Sequence, residues 1–482
     1  MSCSWCELST IGYCIRRLTI NNDIRRINMP RMRRVSADDA SETRYGDAGK
    51  VAACGLSLSP FRGLRYDPDR VSSLGAVTSP PYDVVDPDGR TRLEDSDPHN
   101  VVRLILPRPE PTAEDGYRHA AALLETWQRQ GVLRPDPEPA LYVYEQRTSE
   151  ADGGLLQRGL IGALAVSDAR AGMVLPHEDV MPRPVADRVG LMRTTKANLE
   201  PLLLTYRGDG RAAAVVERAA RRDPLLETTT TDGTRHRLWA VSDRRDLADV
   251  SADLATCRAL IADGHHRWAM YLRLQSEHRH LAQSPWDRGM VLLVDTAAYP
   301  LRVRAIHRVL QRLPLRDALA RLRAVGGDWH VTDLGEEAEP ALKTLAAAKA
   351  DGDPAGPDNA FLLAGEGGFH LLTGPDEAAL AAAVPADLPE EYRRLDATVL
   401  HSLLLERVWQ VPDDPEHIGY LHDTGAAIRE AIRSGGTAVL LNPVEEGVVR
   451  RLAEQGVTMP RKSTSFGPKP ATGLVLRNLR LG

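Results

Sequence analysis

The alternation of strand and helix patterns from Leu58 onwards constrains the fold of this chain more than any other sequence feature. Apolar or alternating stretches predict strands at Ala140 to Gln146 and Gly159 to Val166, whereas an amphipathic period predicts a helix at Gly116 to Gly131. Strands interleaved with helices pack as sheets covered by helices. The sequence therefore predicts an α/β protein of mixed α+β type, and its 482 residues allow one large unit or two to three domains.

Two further segments carry expectations about local structure. The apolar run Val101 to Leu106 is predicted to be a strand. Residues 333–389 are rich in Ala, Gly, Pro and Glu, so we expect them to be the most loop-rich interior part of the chain. Within them, Ala360 to Ala364 and Phe369 to Leu372 are predicted to form a hairpin around a glycine-rich turn.

The overall composition excludes several classes of protein. The 61 basic and 66 acidic residues give a formal net charge of −5, so there is no electrostatic case for a dedicated nucleic-acid-binding protein. No stretch approaches the roughly 18 uninterrupted apolar residues of a membrane-spanning helix. The five cysteines are too few to staple a chain of this length, and Met1 to Glu7 lacks the pattern of a secretory signal. We therefore expect a cytoplasmic protein, and its oligomeric state is left open.

The first 57 residues differ from the rest of the chain. They begin with an arginine-rich stretch that lacks a sustained apolar period, and a polar run follows it. We expect residues 1–57 to be a disordered basic extension, or the product of a start assigned upstream of the true one, because Met29 and Met32 lie within them. Residues 58–482 are expected to form the folded module.

The sharpest local motif is Asp263-Gly264-His265-His266-Arg267, which stands between an apolar stretch typical of a buried strand and a predicted helix at Trp268 to Ser276. A helix N-terminus offers unpaired backbone N–H groups and the positive end of the helix dipole, and both favour phosphate. The glycine lets the backbone approach a ligand closely, and the histidines and the arginine add donors for phosphate oxygens. The aspartate is an oxygen ligand of the kind that Mg²⁺ prefers. The motif therefore predicts a phosphate-binding turn.

The same turn has a purely structural interpretation. Asp263 can cap the helix while the two histidines are surface polar groups. Because adjacent helical residues point about 100° apart, His265 and His266 alone form a poor two-histidine metal site. The residues by themselves leave both interpretations open.

Three other segments offer candidate functional residues. His177 and Glu178 lie in a proline-bounded loop and are candidates for acid–base chemistry. Asp83 follows two prolines, where it is a candidate catalytic carboxylate or, more simply, a turn residue. Lys462 and Lys469 lie in a cationic, hydroxyl-rich loop that could clamp an anion or face only solvent.

Several of these segments together resemble the bacterial and archaeal family catalogued as domain of unknown function 1015. The resemblance extends from about Leu58 to Arg477. The matching blocks are Pro60-Phe61-Arg62-Gly63, Ser79-Pro80-Pro81-Tyr82-Asp83-Val84-Val85, Asn100-Val101-Val102-Arg103-Leu104, Pro176-His177-Glu178, Ala186-Asp187-Arg188, Ala197-Asn198-Leu199, Asp263-Gly264-His265-His266-Arg267, Tyr392-Arg393-Arg394-Leu395-Asp396 and Met459-Pro460 with Lys462-Ser463-Thr464. This ordered series is highly specific for membership of the family and much less specific for an activity.

The Asp-Gly-His-His-Arg block also resembles the nucleotide loop of the ParB and sulfiredoxin superfamily, which includes free-serine kinases that use ATP or ADP. This resemblance implies a ParB/sulfiredoxin-like nucleotide-binding core elaborated with additional strands and helices. It implies that the loop holds the nucleotide phosphates and Mg²⁺, and we expect further cofactor contacts from Arg188, Asn198, Lys462 and Lys469. The serine kinases place a catalytic glutamate early in the fold, where this chain has Asp83 instead.

The resemblance implies a nucleotide-dependent phosphotransferase that acts on a small hydroxyl compound such as free serine, with ATP or ADP and Mg²⁺ as cofactors. Its expected catalytic residues are Asp83, His177 and Glu178, and its expected metal ligand is Asp263. Two alternatives stay open. One is a nucleotide-binding regulatory switch without kinase activity, and the other is a metal-assisted hydrolase built on His177, Glu178 and the His265-His266 pair.

Overall fold

The structure is a computed structural model that describes residues 55–109, 111–150, 153–281, 283–326, 329–348, 359–375 and 377–481. The extension expected over residues 1–57 lies outside the described residues except for its last three positions. All described residues belong to one unit, which begins at Ala52.

Strands and helices follow one another through the described chain. The strands are β1 (Leu58–Ser59), β2 (Gly63–Tyr66), β3 (Leu133–Pro135), β4 (Leu141–Arg147), β5 (Leu156–Ala165), β6 (Val174–Leu175), β7 (Ala197–Asn198), β8 (Leu202–Tyr206), β9 (Leu226–Thr229), β10 (Arg235–Val241), β11 (Ala259–Asp263), β12 (Arg288–Asp295), β13 (Arg302–Arg304), β14 (His307–Leu310), β15 (His330–Asp333), β16 (Ala360–Gly365), β17 (Gly368–Thr373), β18 (Ile418–Leu421), β19 (Thr437–Leu441), β20 (Ser465–Gly467) and β21 (Leu476–Asn478). The helices are α1 (Leu74–Val77), α2 (Pro87–Ser96), α3 (Val102–Ile105), α4 (Ala113–Arg129), α5 (Pro182–Thr195), α6 (Arg211–Ala220), α7 (Arg244–Leu254), α8 (His265–His278), α9 (Leu315–Val325), α10 (Ala338–Ala347), α11 (Glu377–Ala383), α12 (Glu390–Arg393), α13 (Asp396–Val399), α14 (Thr424–Ser434) and α15 (Glu446–Glu454). A π-helix (Leu400–Trp409) continues α13, and short 3₁₀ turns lie at Pro68–Arg70, Tyr82–Val84, Ala169–Ala171 and Pro285–Asp287.

The larger sheet has nine strands and confirms the mixed α/β prediction. Its order is β6-β11-β8-β12-β5-β4-β10-β9, and β1 also pairs with β5. The β6–β11 and β8–β12 pairs are parallel and the others are antiparallel. All five residues of β8 and all five of β11 are buried, as expected of central strands covered on both faces.

A second sheet supports a separate part of the unit, which we call the second lobe (residues 305–442). Its six strands are all antiparallel in the order β15-β17-β16-β19-β14-β18. The hairpin predicted within residues 333–389 is confirmed by the pairing of β16 with β17. One apolar cluster contains Phe361 and Leu363 and another contains Leu362, because successive side chains of β16 point to opposite faces of the sheet.

One expectation about local structure differs from what the chain forms. The predicted strand at Val101 to Leu106 is wrong, because the segment contains helix α3. The buried Asn100 side chain accepts a hydrogen bond from the backbone N–H of Val102, which favours a helical turn that apolar periodicity alone does not reveal. The described part of residues 333–389 contains α10, β16, β17 and α11, and the loop-rich character expected of the whole segment stays a prediction.

Helix α4 shows how the sequence fixes an element boundary. Thr112 accepts a hydrogen bond from the backbone N–H of Asp115, and the Asp115 carboxylate accepts one from the backbone N–H of Thr112. This reciprocal capping satisfies two of the N–H groups that a helix start leaves unpaired. The helix predicted at Gly116 to Gly131 is thereby confirmed, with its first turn three residues earlier.

Two small sheets fix the position of the C-terminal segment. The order β3-β2-β21-β7 places the last described strand between an early strand and the one that follows α5. The β13–β20 pair fixes residues 465–467. The loop that contains Lys469 lies between these two anchors and so reaches the ends of β11 and the early loops. Among the described helices, none is both long enough and apolar enough to span a membrane.

Candidate active site

The Asp-Gly-His-His-Arg turn joins β11 to α8, as the sequence predicts. Asp263 ends a fully buried strand, and α8 begins at His265 directly after Gly264. Gly264 has a φ of 101°, which is in the left-handed region that favours glycine. A Cβ at this position would lie 2.9 Å from Cγ of Leu202 and 3.1 Å from Nε of Arg267. The glycine is therefore required by both its backbone conformation and its close packing.

We expect Gly264→Ala to destabilise the protein more than Gly172→Ala does. Both glycines have positive φ, but a Cβ at Gly172 would meet nothing within 4 Å, so that variant has the backbone strain alone. Because of the additional clash, Gly264→Ala should lower the free energy of unfolding by about 1–3 kcal/mol more than Gly172→Ala does, measured by urea denaturation. Equal losses in the two variants would show that Leu202 and Arg267 move aside without cost.

An ion-pair network joins the early loop, the turn and the C-terminal loop. Nζ of Lys469 lies 2.6 Å from Oδ2 of Asp83 and 2.6 Å from Oδ1 of Asp263. Burial opposes the ionisation of Asp83, but Lys469 and Arg267 together hold its pKa below its usual value. Burial likewise opposes protonation of Lys469, but Asp263 and Asp83 raise its pKa above the usual value. The network is therefore charged at neutral pH and draws three distant segments together.

Arg267 is a buried structural residue rather than the open phosphate donor that the sequence suggested. Its side chain is almost fully buried, and Nη2 donates to Oδ2 of Asp263 at 2.7 Å. Nη1 donates to the carbonyl oxygen of Pro201 at 3.1 Å, and the guanidinium lies 5.8 Å from the centroid of the Tyr82 ring. Although burial opposes its charge, Glu200 and Asp263 raise the pKa of Arg267. Its guanidinium is thus committed to neighbouring protein groups.

Tyr82 and Glu200 belong to the same network and were not singled out from the sequence. The Tyr82 ring also lies 4.3 Å from the guanidinium carbon of Arg188. The backbone N–H of Tyr82 donates to Oε1 of Glu200 at 2.9 Å. These contacts fix the turn that contains Asp83. Tyr82 could have been found, because it lies inside the Pro-Pro-Tyr-Asp block, whereas nothing local in the sequence marks Glu200.

His265 and His266 hold a loop in place instead of pointing donors at a ligand through Nε2. The backbone N–H of His177 donates to Nε2 of His265 at 3.2 Å, and that of Met181 donates to Nε2 of His266 at 3.1 Å. A ring nitrogen that accepts a hydrogen bond is unprotonated. Burial lowers the pKa of both histidines, which favours this neutral form. The two side chains therefore clamp both ends of the loop that contains Glu178.

Glu178 lies in this loop close to the charged network. Its side chain is partly buried, and burial, reinforced by Asp263, raises its pKa to about 7 in spite of the opposing charges of Lys462 and Lys469. A carboxyl with a pKa near the working pH can both accept and return a proton. This shift is compatible with the catalytic role predicted for Glu178.

His177 does not match the catalytic role expected of it. The side chain is almost fully buried, and burial lowers its pKa to about 4, so the ring is neutral. Nε2 lies 3.1 Å from Oγ1 of Thr464, and the backbone carbonyl accepts a hydrogen bond from the N–H of Met459. The ring also contacts that of His265 edge to face, with 4.5 Å between centroids. His177 therefore ties the loop of Glu178 to the C-terminal loop.

Arg188 and Asn198, which we expected to contact a cofactor, are also buried in structural roles. Arg188 donates to Oδ2 of Asp187 and to the carbonyl oxygen of Ile105. Oδ1 of Asn198 accepts hydrogen bonds from the backbone N–H of Met290 and from Arg477. Their family-like blocks thus reflect packing between α5, β7 and their neighbours.

The two lysines of the C-terminal loop differ in exposure and in their partners. Lys469 is held in the ion-pair network, and its loop is anchored from the large sheet. Nε2 of Gln146 donates to the carbonyl oxygen of Pro468 at 2.9 Å, and the backbone N–H of Ala471 donates to Oη of Tyr144 at 3.1 Å. Lys462 is exposed and acts on Glu178 through its charge. No local sequence signal predicts the two anchors, which lie more than 300 residues earlier in the chain.

The donor set does not fit a resident magnesium ion at Asp263. Both carboxylate oxygens of Asp263 are already paired, with Lys469 and with Arg267. Within the described residues, no group of three His, Cys, Asp or Glu side chains gathers in a way that could hold a metal ion. The role of metal ligand expected for Asp263 is therefore not supported, whereas the metal-assisted hydrolase stays an untested alternative.

Comparison with known families covers the matching sequence blocks as far as Asp396 and leaves the block from Met459 to Thr464 outside the match. The sequence profile of the family described as "Protein of unknown function (DUF1015)" matches residues 58–398. The chain belongs to this family. Lys462 and Lys469 lie beyond the matched residues of the DUF1015 profile. No curated protein matches the chain significantly.

Some solved structures align with this DUF1015 member at low similarity. The free serine kinase in complex with AMP is 16% identical, and the alignment covers 64% of this chain and 91% of the kinase with a TM-score of 0.32. A conserved hypothetical protein from Pyrococcus furiosus is 16% identical over 64% of this chain and 94% of that one, with a TM-score of 0.31. C-terminally truncated SbnI from Staphylococcus aureus is 11% identical over 67% and 88%, with a TM-score of 0.33. Similarity at this level does not establish a shared activity.

Proposed function

We propose that the protein is a nucleotide-dependent phosphotransferase that phosphorylates a small hydroxyl compound, with free serine as the first acceptor to test. The observation that carries the proposal is the loop from His177 to Met181, which His265 and His266 hold at the N-terminus of α8. Within this loop, burial raises the pKa of the partly buried Glu178 to about 7 against the opposing charges of Lys462 and Lys469. Phosphoryl transfer needs a base for the acceptor hydroxyl and positive groups for the phosphates. This loop cluster offers both.

In the proposed reaction, Glu178 accepts the proton of the acceptor hydroxyl as its oxygen attacks the terminal phosphorus of the nucleotide. A bond forms between the acceptor oxygen and phosphorus, and the bond from phosphorus to the bridging oxygen breaks. The nucleotide leaves as a diphosphate if ATP is used, or as a monophosphate if ADP is used. Lys462, which forms no ion pair within the described residues, is the cation we assign to the phosphates. Lys469 keeps Asp83 and Asp263 neutralised, so that they do not repel the nucleotide.

Three finer features belong to the same proposal. We place the reaction in the cytoplasm and regard the nine-stranded sheet as the elaborated ParB/sulfiredoxin-like core. Magnesium enters as a companion of the nucleotide, because Mg²⁺ is usually bound through one or two carboxylates together with the substrate phosphates.

Incubating the full-length protein with ATP or ADP and candidate acceptors tests the proposal. Phosphorus NMR should show a phosphomonoester with serine and none with alanine, which is the matched compound without the hydroxyl. Isothermal titration calorimetry, with and without Mg²⁺, measures nucleotide binding separately. Nucleotide binding without transfer to any hydroxyl compound would favour the regulatory switch, and no nucleotide binding under either condition would reject both functions.

A further inference from the structure

The second lobe contains a cavity that is separate from the site around Glu178. Its volume is about 490 Å³, within the range of roughly 300–1,000 Å³ typical of small-molecule sites. One wall is formed by the π-helix Leu400–Trp409 and the opposite side by residues from Val411 to Ile418. π-Helical turns are rare and are frequently found at functional sites.

Behind this wall lies a buried arginine that has no carboxylate partner within ion-pair distance in the described part of the chain. Arg308 is completely buried in β14. Nε and Nη2 donate to Nε2 of His401 at 3.2 and 3.0 Å, and Nη1 donates to the carbonyl oxygen of Ile306. Burial lowers the pKa of Arg308 to about 10, so the guanidinium is still charged at neutral pH. Nη2 also donates to the carbonyl oxygen of Arg461 at 3.4 Å, and the charge of Asp413, which lies beyond ion-pair distance, opposes the lowering of the pKa of Arg308. A buried cation that neutral groups contact directly, with its countercharge at a distance, can accommodate a further anionic group.

His401 lies between Arg308 and the cavity. Because arginine has no acceptor, Nε2 of His401 must be the accepting nitrogen, and Nδ1 therefore carries the ring proton. Nδ1 makes no hydrogen bond among the described residues, and His401 lines the cavity. Burial and Arg308 lower the pKa of His401 to about 4, so the ring is neutral. The imidazole is thus a donor with a cation behind it, which suits the recognition of an anionic group.

The other groups of the cavity match a ligand with three chemical features. Glu406 and Asp413 are exposed carboxylates that line the cavity, where they suit an ammonium group. Oδ1 of Asp413 also accepts a hydrogen bond from the Tyr420 hydroxyl at 3.1 Å, and the charge of Asp413 acts on His401. Leu405, Val411 and Ile418 supply an apolar wall. A carboxylate, an ammonium and an apolar side chain are the three features of a hydrophobic α-amino acid.

We propose that this cavity binds a hydrophobic α-amino acid, whose carboxylate accepts a hydrogen bond from Nδ1 of His401 while its ammonium faces Asp413 and Glu406. The apolar side chain of the ligand then packs on Leu405 and Ile418. The ligand is zwitterionic, so a compound that carries only one of the two charged groups should bind more weakly than the amino acid.

Calorimetry with three matched compounds tests the proposal on the full-length protein. L-Leucine carries both charged groups, 4-methylpentanoate lacks the amine, and 3-methylbutylamine lacks the carboxylate. We expect leucine to bind and each of the other two to bind at least about tenfold more weakly, because each loses a charge-assisted contact. Failure of leucine to bind at millimolar concentration, or equal affinity for all three compounds, would overturn the proposal.

Variants separate the two charged contacts. His401→Ala should weaken leucine and 4-methylpentanoate about tenfold or more. Asp413→Asn should weaken leucine and 3-methylbutylamine but should not weaken 4-methylpentanoate, because the Asp413 carboxylate repels a ligand carboxylate near His401. His330→Ala is the matched control, since it removes an exposed histidine from β15 at the opposite edge of the same sheet. If His401→Ala does not fold, the Asp413→Asn result still decides. Unchanged leucine affinity in that variant would contradict the assignment.

Discussion

Glu178→Gln is expected to lower the rate of phosphoryl transfer by about 10²–10⁴-fold, the range that a positioned general base contributes. Glutamine keeps the size of the side chain but cannot accept a proton from the acceptor hydroxyl. Nucleotide affinity should change little, because the phosphates are assigned to Lys462 rather than to Glu178. Single-turnover kinetics with calorimetry on the same preparation measures both quantities.

The pH dependence gives this prediction a second readout. The wild-type rate should fall as the pH drops below about 7, where Glu178 becomes protonated, and the residual rate of Glu178→Gln should lack this limb. Stability should change in the opposite sense. The pKa of Glu178 is higher in the folded chain than in the unfolded chain. As the pH rises from about 4.5 to about 7, the wild type therefore loses free energy of unfolding relative to the variant. A variant that is at least as stable as the wild type at pH 8 excludes unfolding as the cause of its inactivity.

A neighbouring carboxylate provides the control. Asp179 is exposed and lies directly beside Glu178 in the same loop. Asp179→Asn removes a negative charge of the same kind, and we expect its rate to stay within about threefold of the wild type. Full activity in Glu178→Gln, or an equal loss in Asp179→Asn, would remove Glu178 from the role of base.

The sequence predicts the local architecture of the site better than its chemistry. Strand, turn and helix around Gly264 follow from an apolar run, a glycine and a helical period, all of which are local signals. The contact between Asp83 and Lys469 joins residues that are 386 positions apart, and no periodicity encodes it. Their meeting depends on the small sheet that pairs β2 with β21, and such pairing is a property of the whole fold.

The histidines show why residue type alone misled the interpretation of the motif. As isolated side chains, His265 and His266 are plausible donors to phosphate. In the fold, each has a backbone N–H of the loop from His177 to Met181 directed at its Nε2, which makes that nitrogen an acceptor. Whether a histidine donates or accepts is decided by the group opposite it, and here that group lies about 85 residues earlier in the chain.

Substitution of Arg267 is expected to lower the stability of the fold strongly. An open phosphate site would instead predict a loss of nucleotide affinity with little loss of stability. Arg267 is instead buried between Asp263 and the carbonyl oxygen of Pro201, and it is the leading charge that opposes the raised pKa of the buried Glu200 carboxyl. Removing Arg267 leaves Asp263 with Lys469 as its one ion-pair partner within the described residues and takes from the buried Glu200 its leading countercharge. Breaking a buried network of this kind is strongly destabilising.

Arg267→Ala is therefore expected to lower the free energy of unfolding by about 3–5 kcal/mol, measured by urea denaturation at pH 7. Arg273→Ala is the matched control on the same helix. Its side chain is half exposed and pairs with Glu277 at the surface, so its loss should stay within about 0.5 kcal/mol. If Arg267→Ala is as stable as the control yet binds nucleotide at least about tenfold more weakly, the guanidinium faces a ligand after all. A large loss of stability, with nucleotide affinity kept in the fraction that folds, is the result that the ion pair with Asp263 requires.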